Sequence, residues 1–402
     1  MPSICFYFQL HEPYRLRRYS VFDTDPNYFD EQRNAQILQR VAQKCYIPTN
    51  QIMLELIRKH EGRFKVAFSL TGVIVEQLQQ YCPQVIELFQ ELAATGCVEF
   101  LAETSHHSLA FLYSRDEFKA QVELHAHLMQ KLFRQTPRVF RHTELVYSNE
   151  LATYLAGTRK YTAVLAEGAD QILGQRSPNV LYYPPGQTKL KLLLKNYRLS
   201  DDIAFRFSNQ AWADWPVTSA KFAQWVTRLG DGSTDATASA GPVCNLFMDY
   251  ETFGEHQWPE TGIFEFLKTL PEEVFRAGNN DFKTPSEVAA AYPAQDVFDT
   301  PHMISWADTE RDLSAWLGNA MQSNAAHELY KLEAGVKACK NPELLRDWRN
   351  LTSSDHFYYM CTKYFADGDV HKYFNPYESP YDSYINFMNV LDNLHTRIEA
   401  GK

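Results

Sequence analysis

Residues 243–258 read VCNLFMDYETFGEHQW. The apolar run from Val243 to Met248 has the length of one buried strand. Asp249, Glu251 and Glu255 follow it directly, set among Tyr250, Phe253, His256 and Trp258. Gly254 lets the backbone turn sharply there. In an α/β barrel the carboxyl ends of the strands carry the reactive groups. Acids interleaved with rings suit a sugar, whose apolar faces stack on aromatics while its hydroxyls and glycosidic oxygen meet carboxyls. Any single acid after a strand reads equally well as a solvated cap, so the cluster has to be judged with its partners elsewhere.

Working outward, the totals narrow the field. A chain of 402 residues, 45% hydrophobic and 14% aromatic, can bury a large core and more than one domain. Its net charge of −10 argues against nucleic acid as a partner and leaves room for a neutral polymer. At the amino terminus, MPSICFYFQLHEPYRLRR, the basic residues follow the apolar run instead of preceding it, so no secretory leader is expected. No window approaches the length of a membrane span, so no membrane partner is expected. Seven cysteines without a Cys-x-x-Cys pair read as free thiols of a reducing compartment, and a cytoplasmic location follows as the expectation. Oligomeric state is not legible.

Short β-rich runs alternate with helical patterns, the mark of a parallel sheet wrapped by helices. Strands are expected at Ile4–Leu10, Lys65–Leu70, Val98–Leu101, Arg138–Arg141, Ala163–Leu165, Ile203–Phe207 and Val243–Asp249. Val180–Tyr183 and Leu190–Leu194 read as an inserted hairpin around a Pro-Pro-Gly turn. Helices are expected over 35–61 with a break and new cap at Pro48-Thr49, over 83–95, and over 117–135 behind an Asp116 cap. The stretch 231–241, DGSTDATASAG, reads as a surface loop. Seven principal strands with polar ends favour an incomplete (β/α) barrel over an open doubly wound sheet. From Pro285 onward strand signals vanish, and helices at 310–334, 342–351 and 380–400 point to a C-terminal helical bundle. The expected domains are therefore 1–284, a (β/α)7-type barrel, and 285–402, a helical unit contributing to the cleft.

Glu144 follows the Arg138–Arg141 strand, between Arg141-His142 and Tyr147. Two carboxylates at two strand ends can face each other across a sugar, the geometry that glycoside hydrolysis needs. A separation of roughly 5–5.5 Å would imply a retaining enzyme and a wider gap an inverting one. Glu251 or an aromatic pocket could raise the pKa of the acid. His11, His106 and His107 stand at other strand ends with Glu12, Glu99 and Glu103 nearby. Their spacing matches no strong metal motif, so no metal is expected, and His11 and Glu99 read better as contacts to sugar hydroxyls. His125 and His127 are expected on the surface. Trp306 and Trp316 divide evenly between core and ligand, and Ser354 or Asp355 reads either as a helix cap or, with the rings of 357–359, as a cover over a sugar.

Five segments in order then resemble one family. His11-Glu12-Pro13 looks like its His-Gln-Pro. Residues 96–101, GCVEFL, are similar to its Gly-x-(Ile/Val)-Glu-x-Leu. Residues 142–147, HTELVY, look like the segment of its nucleophilic Glu, and 249–254, DYETFG, like the Asp-x-Glu-x-Phe-Gly of its proton donor. Ser354-Asp355-His356 resembles its fifth segment. The family is glycoside hydrolase family 57, and the α-amylase-like subgroup is the most similar. The resemblance spans 11 to 356 and implies a seven-stranded barrel, a C-terminal helical domain closing the cleft, and a retaining mechanism without cofactor. It further implies Glu144 as nucleophile and Asp249 as acid and base, with His11, Glu99, Asp355 and His356 binding the sugar and Trp258 or Trp306 stacking on it. Glu12 in place of the commoner Gln, and Leu145 after the nucleophile, both suit the amylase-like subgroup.

The expectation is a retaining hydrolase of α-1,4 bonds in glycogen, starch fragments or malto-oligosaccharides. A 4-α-glucanotransferase or branching enzyme using the same residues is the first alternative. An α-glucan-binding protein of low turnover is a second, and a metal-dependent carbohydrate deacetylase on a related barrel is a third.

Overall fold

The computed structural model describes residues 2–230, 241–363 and 375–401. Apart from Gly241, the loop expected at 231–241 lies outside them.

Among the described residues ten strands form: β1 (Ser3–Leu10), β2 (Val66–Leu70), β3 (Val98–Phe100), β4 (Val139–Arg141), β5 (Ala163–Glu167), β6 (Leu181–Tyr183), β7 (Lys191–Lys195), β8 (Val243–Asp249), β9 (Asp281–Phe282) and β10 (Ala294–Val297). One sheet runs β3-β2-β1-β8 with β9 beside β1, and the other runs β10-β6-β7-β5-β4. They meet at both ends. Ala102 bridges Phe140 in parallel, and its N–H donates to the Val139 carbonyl at 2.9 Å. On the far side the Asn196 N–H donates to the Asn245 carbonyl at 2.8 Å and the Asn245 amide to the Leu194 carbonyl at 3.0 Å. The chain thus builds an incomplete parallel barrel of β1, β2, β3, β4, β5, β7 and β8, followed by C-terminal helices.

Strand alternation decides what fills it. Cys5 and Tyr7, Val139, Ala163 and Leu165, Leu193, and Val243 and Phe247 pack together inside. Their neighbours Ile4, Phe6, Phe8, Cys244, Leu246 and Met248 face the surrounding helices. One step beyond the inner apolar layer the same alternation brings Arg141, Glu167, Lys195 and Asp249 to the carboxyl rim. A buried barrel core thus carries a polar mouth.

Three expectations are corrected. Ile203–Phe207 is no strand: Asn196 caps a helix over Tyr197–Ala204, accepting from the Leu199 N–H at 3.1 Å, and Leu199, Ile203 and Ala204 bury one face of it. Lys191–Lys195 is no part of a mere insertion. It pairs in parallel with β5 from Ala163↔Lys191 to Glu167↔Lys195, while its antiparallel contact to β6 is confined to Tyr182↔Leu192. Strand structure also continues past Pro285, since β10 joins β6 in parallel. In helices the caps shift: Ser114, not Asp116, accepts from the Glu117 N–H, and helix runs through Pro48 behind a π-helical turn at Ala42–Tyr46.

The helices Ala320–Lys331, Pro342–Leu351 and Pro380–Ala400 bury Leu329, Trp348, Phe387 and Leu394 with Phe111, Phe118, Phe140 and Tyr147 from the β4 side of the barrel. The Ser354 N–H donates to the His107 carbonyl at 2.9 Å, and Ser353 pairs with Ser108. That seam lays the C-terminal segment along the barrel mouth. No helix among the described residues is long and apolar enough to cross a membrane.

Candidate active site

A cleft of about 470 Å³ opens over the carboxyl ends of the strands, within the size range of small-ligand sites. Glu144, Asp249, His11, Trp306 and Asp355 all line it.

Glu144 sits in a tight turn, Thr143–Leu145, with φ of +58° at Glu144 and +51° at Leu145. Left-handed backbone at two consecutive side-chain-bearing residues is strained and is kept where surrounding contacts over-determine it. Those contacts are present. Oε1 accepts from His107 Nε2 and from Ser354 Oγ, each at 3.0 Å. Oε2 accepts from Trp306 Nε1 at 2.8 Å. Burial alone would raise the pKa of Glu144, but the His107 charge and hydrogen bond outweigh it and hold the carboxyl below its ordinary value. Burial likewise opposes charge on His107. Glu144 on one side and Glu103, 3.7 Å from Nδ1, on the other prevail and push it up to about 9. Beneath lie Ser69, donating to Glu103 at 2.7 Å, and Arg141, 3.8 Å from it.

Asp249 is placed by the alternation Val243, Asn245, Phe247, Asp249, and its carboxyl makes no hydrogen bond to the described residues. Burial first, and the charge of Glu144 second, push its pKa up to about 6. Of the two expected causes, Glu251 or a covering pocket, burial leads, while Glu251 is held otherwise: Tyr46 donates to it from the π-helical turn, and burial keeps its own pKa well above the ordinary range. Burial and the neighbouring His107 cation favour neutral His11, and the acceptor-only Asp355 carboxylate sets its tautomer, Nε2 donating to Asp355 and Nδ1 accepting from Thr71, both at 2.9 Å. Its ring stacks on His107 at 4.0 Å. Asp355 also accepts from Ser353 at 2.6 Å; burial would raise its pKa, but His11 and His107 hold it well below the usual carboxylate range.

Three expected site residues stand elsewhere. Glu99 lies one layer down the barrel, two residues before the inward Leu101, where Ser286 donates to it through both N–H, at 2.9 Å, and hydroxyl. The next inward acid up the chain, Glu103, is the one that reaches the His107 network. His356 is buried with its ring 5.6 Å from Phe387, outside the cleft lining. Trp258 is 62% exposed and also outside that lining. His125, expected on the surface, is fully buried and hydrogen-bonded to the Leu70 carbonyl at 2.7 Å.

Sequence reasoning weighed His107 only for a metal and Ser354 only as a cap or a cover, without linking either to Glu144, and passed over Arg141 and Lys195 as members of the site. Lys195 lies 5.0 Å over the Trp306 ring and 3.7 Å from Glu167, its register partner. Inward alternation at a strand end would have pointed to Arg141 and Lys195. His11, His107 and Asp355 also offer atoms within 4.8 Å of one another, the single grouping of cation-binding spacing among the described residues. Their donors and acceptors are engaged with one another, with Thr71 and with Glu144, and a cation there would have to displace the proton of His107.

Chemically, the cleft pairs an ionised, triply anchored carboxylate with a second carboxyl that keeps its proton into mildly acidic solution. Those are the two protonation states that nucleophilic attack and acid catalysis require.

Comparison with known proteins agrees with this architecture. The family model described as "Glycosyl hydrolase family 57" matches residues 5–301. A protein named "Putative alpha-amylase" from Methanocaldococcus jannaschii is 41% identical over 404 residues, spanning 96% of this chain and 83% of that protein. Among solved structures, a GH57-type branching enzyme from Pyrococcus horikoshii superposes with a TM-score of 0.70 at 16% identity, covering all of this chain and 92% of the other. The alpha-amylase AmyC from Thermotoga maritima gives 0.62 at 15% identity, with 100% and 94% covered. At these identities the two structures speak for the fold alone.

Proposed function

The chain belongs to glycosyl hydrolase family 57, and on that footing we propose that it cleaves α-1,4-glucosidic bonds of α-glucans by double displacement. The observation that carries the proposal is the threefold anchoring of Glu144 by His107, Ser354 and Trp306, across one cleft from Asp249, whose carboxyl makes no hydrogen bond among the described residues. Asp249 gives its proton to the glycosidic oxygen as Glu144 attacks the anomeric carbon, the C–O bond to the leaving sugar breaks, and a glycosyl ester forms. Asp249, now ionised, takes a proton from water, whose oxygen displaces Glu144 and restores both carboxyls. His107 and Trp306 limit the charge that Glu144 must shed and regain. His11, whose one N–H is given to Asp355, holds that carboxylate in place as an acceptor for sugar hydroxyls.

The test is incubation with one purified malto-oligosaccharide, wild type beside Glu144→Gln. Shorter sugars from wild type alone would support hydrolysis. A ladder of both shorter and longer products would move the reading to glucan transfer, and unchanged sugar in both samples would refute turnover of this substrate class.

A further inference from the structure

Glu117 is fully buried on the helix Arg115–Phe133, outside the cleft lining. A carboxylate taken out of water is costly unless donors and opposite charge replace the solvent. The C-terminal helices supply both. Arg349, on Pro342–Leu351, donates to Oε1 through Nε at 2.7 Å and to Oε2 through Nη2 at 3.3 Å. Lys337, on Glu333–Cys339, stands 3.0 Å from Oε2. Gln121, one turn further along the Glu117 helix and also fully buried, donates through Nε2 to Oε1 at 3.2 Å. An ionised carboxylate only accepts, so it fixes which way the Gln121 amide faces. Nε2 then also reaches Thr352 Oγ1 at 3.3 Å, and the amide oxygen accepts from Ser108 Oγ at 2.8 Å.

Ser108 and Thr352 are the chain neighbours of His107 and Ser353. Ser108 pairs with Ser353, and the Ser354 N–H donates to the His107 carbonyl at 2.9 Å. The seam registered in this way carries both donors to Glu144 Oε1, His107 Nε2 and Ser354 Oγ. Glu117 takes no part in the reaction, yet its network grips both sides of that seam from behind.

We propose that Glu117 is a positioning residue: with Arg349, Lys337 and Gln121 it clamps residues 107–108 against 352–354 and so sets the grip on Glu144. Its consequence for catalysis rests on the α-glucan reading above; the clamp itself does not. A buried ion pair adds little net stability, but removing one partner leaves the others without counter-charge. The register of the seam is what the pair can fix. The charged and titratable groups that face Glu144 are His107, Arg141, Asp249, Asp355 and Tyr358. None of them is altered when Glu117 or Gln121 is replaced, so a change in the ionisation of Glu144 then reports how its donors are held.

The test compares Glu117→Gln and Glu117→Asp with wild type on one malto-oligosaccharide, reading kcat, KM and the pH profile of kcat/KM. Amide hydrogen exchange across 104–110 and 350–356 is followed on the same proteins without substrate. In Glu117→Gln, kcat should fall about 10-fold with KM little changed. The acid limb should move to higher pH, because Glu144 loses donors that keep it ionised, and exchange at the seam should quicken. Glu117→Asp, which keeps the charge, should recover part of each. Gln121→Met keeps the ion pairs and cuts the links to Ser108 and Thr352; it should show the same changes in smaller measure, and it decides the matter if Glu117→Gln does not fold. A folded variant with the acid limb and seam exchange of wild type would overturn the clamp, and a lower melting temperature alone would make Glu117 a structural ion pair and nothing more. A wild type that alters no malto-oligosaccharide would overturn the α-glucan reading, and the exchange measurement would then decide the clamp by itself.

Discussion

Glu144 and Asp249 are both carboxyls withdrawn from water, and burial raises the pKa of each. They part because of their neighbours. His107, Ser354 and Trp306 all aim donors at Glu144, whereas Asp249 meets the charge of Glu144 itself. The sign of the pH dependence follows. If Asp249 is protonated in the first step, kcat/KM should fall as pH rises through about 6, and the acid limb, set by Glu144, should lie below the ordinary range of a glutamate. A pH–rate profile of kcat/KM reads both limbs. His107→Gln removes the cation that holds Glu144 ionised. We expect kcat to fall ~10- to 100-fold, the loss of one charge-assisted hydrogen bond, and the acid limb to move to higher pH. A lower rate with the limb unmoved would give His107 a purely steric part. Asp249→Asn should cost ~10²- to 10⁴-fold on ordinary glycosides and far less where the leaving group needs no proton; equal losses would remove Asp249 as the acid.

At the scale of elements, the turn after β8 is held from outside. Cys45 donates to the Tyr250 carbonyl at 3.1 Å, Thr49 to the Phe253 carbonyl at 3.2 Å, and Tyr46 to Glu251, all from the π-helical turn and the helix behind it. π-Turns recur where a helix has to aim side chains at a functional site. Gly254 closes the arrangement. Its φ is +113°, and a Cβ there would stand 2.1 Å from the Lys44 carbonyl oxygen. Gly254→Ala should therefore destabilise the protein by about 1–3 kcal/mol and also lower kcat, because the displaced turn starts at Asp249. Urea unfolding and steady-state kinetics on the same preparation would show both, and a stability loss with normal kcat would uncouple the turn from the acid. At this scale the sequence was legible where an apolar run ended on a polar cluster, as at Val243–Asp249, which forms β8 over those same residues. It misled at Ile203–Phe207, where a five-residue window hid the helical spacing that begins at Leu199.

At the scale of the molecule, the site is assembled from both ends of the chain. Glu144 is anchored by Trp306 and Ser354, and His11 by Asp355. We propose the division at 284/285 as the boundary between a barrel and a largely helical unit that completes its cleft and still lends the barrel β10 and the Ser286 contact to Glu99. A fragment of residues 1–284 should then lack glucan turnover, and residues 285–402 added in trans should restore part of it. Activity in the fragment alone would show that Trp306, Ser354 and Asp355 are dispensable.

The sequence by itself determined the alternation of strand and helix, the two carboxyls proposed to react and the five ordered segments, because each is written in a few consecutive residues. It could not say that Glu103 and not Glu99 reaches the site, that Lys191–Lys195 is a barrel strand, or that His107 and Ser354 grip Glu144. Strand register and the folding of residues 300–360 back over the barrel decide those. Contacts between residues far apart in the chain leave no periodicity along it, and a charge network takes its protonation states only once burial has removed the water.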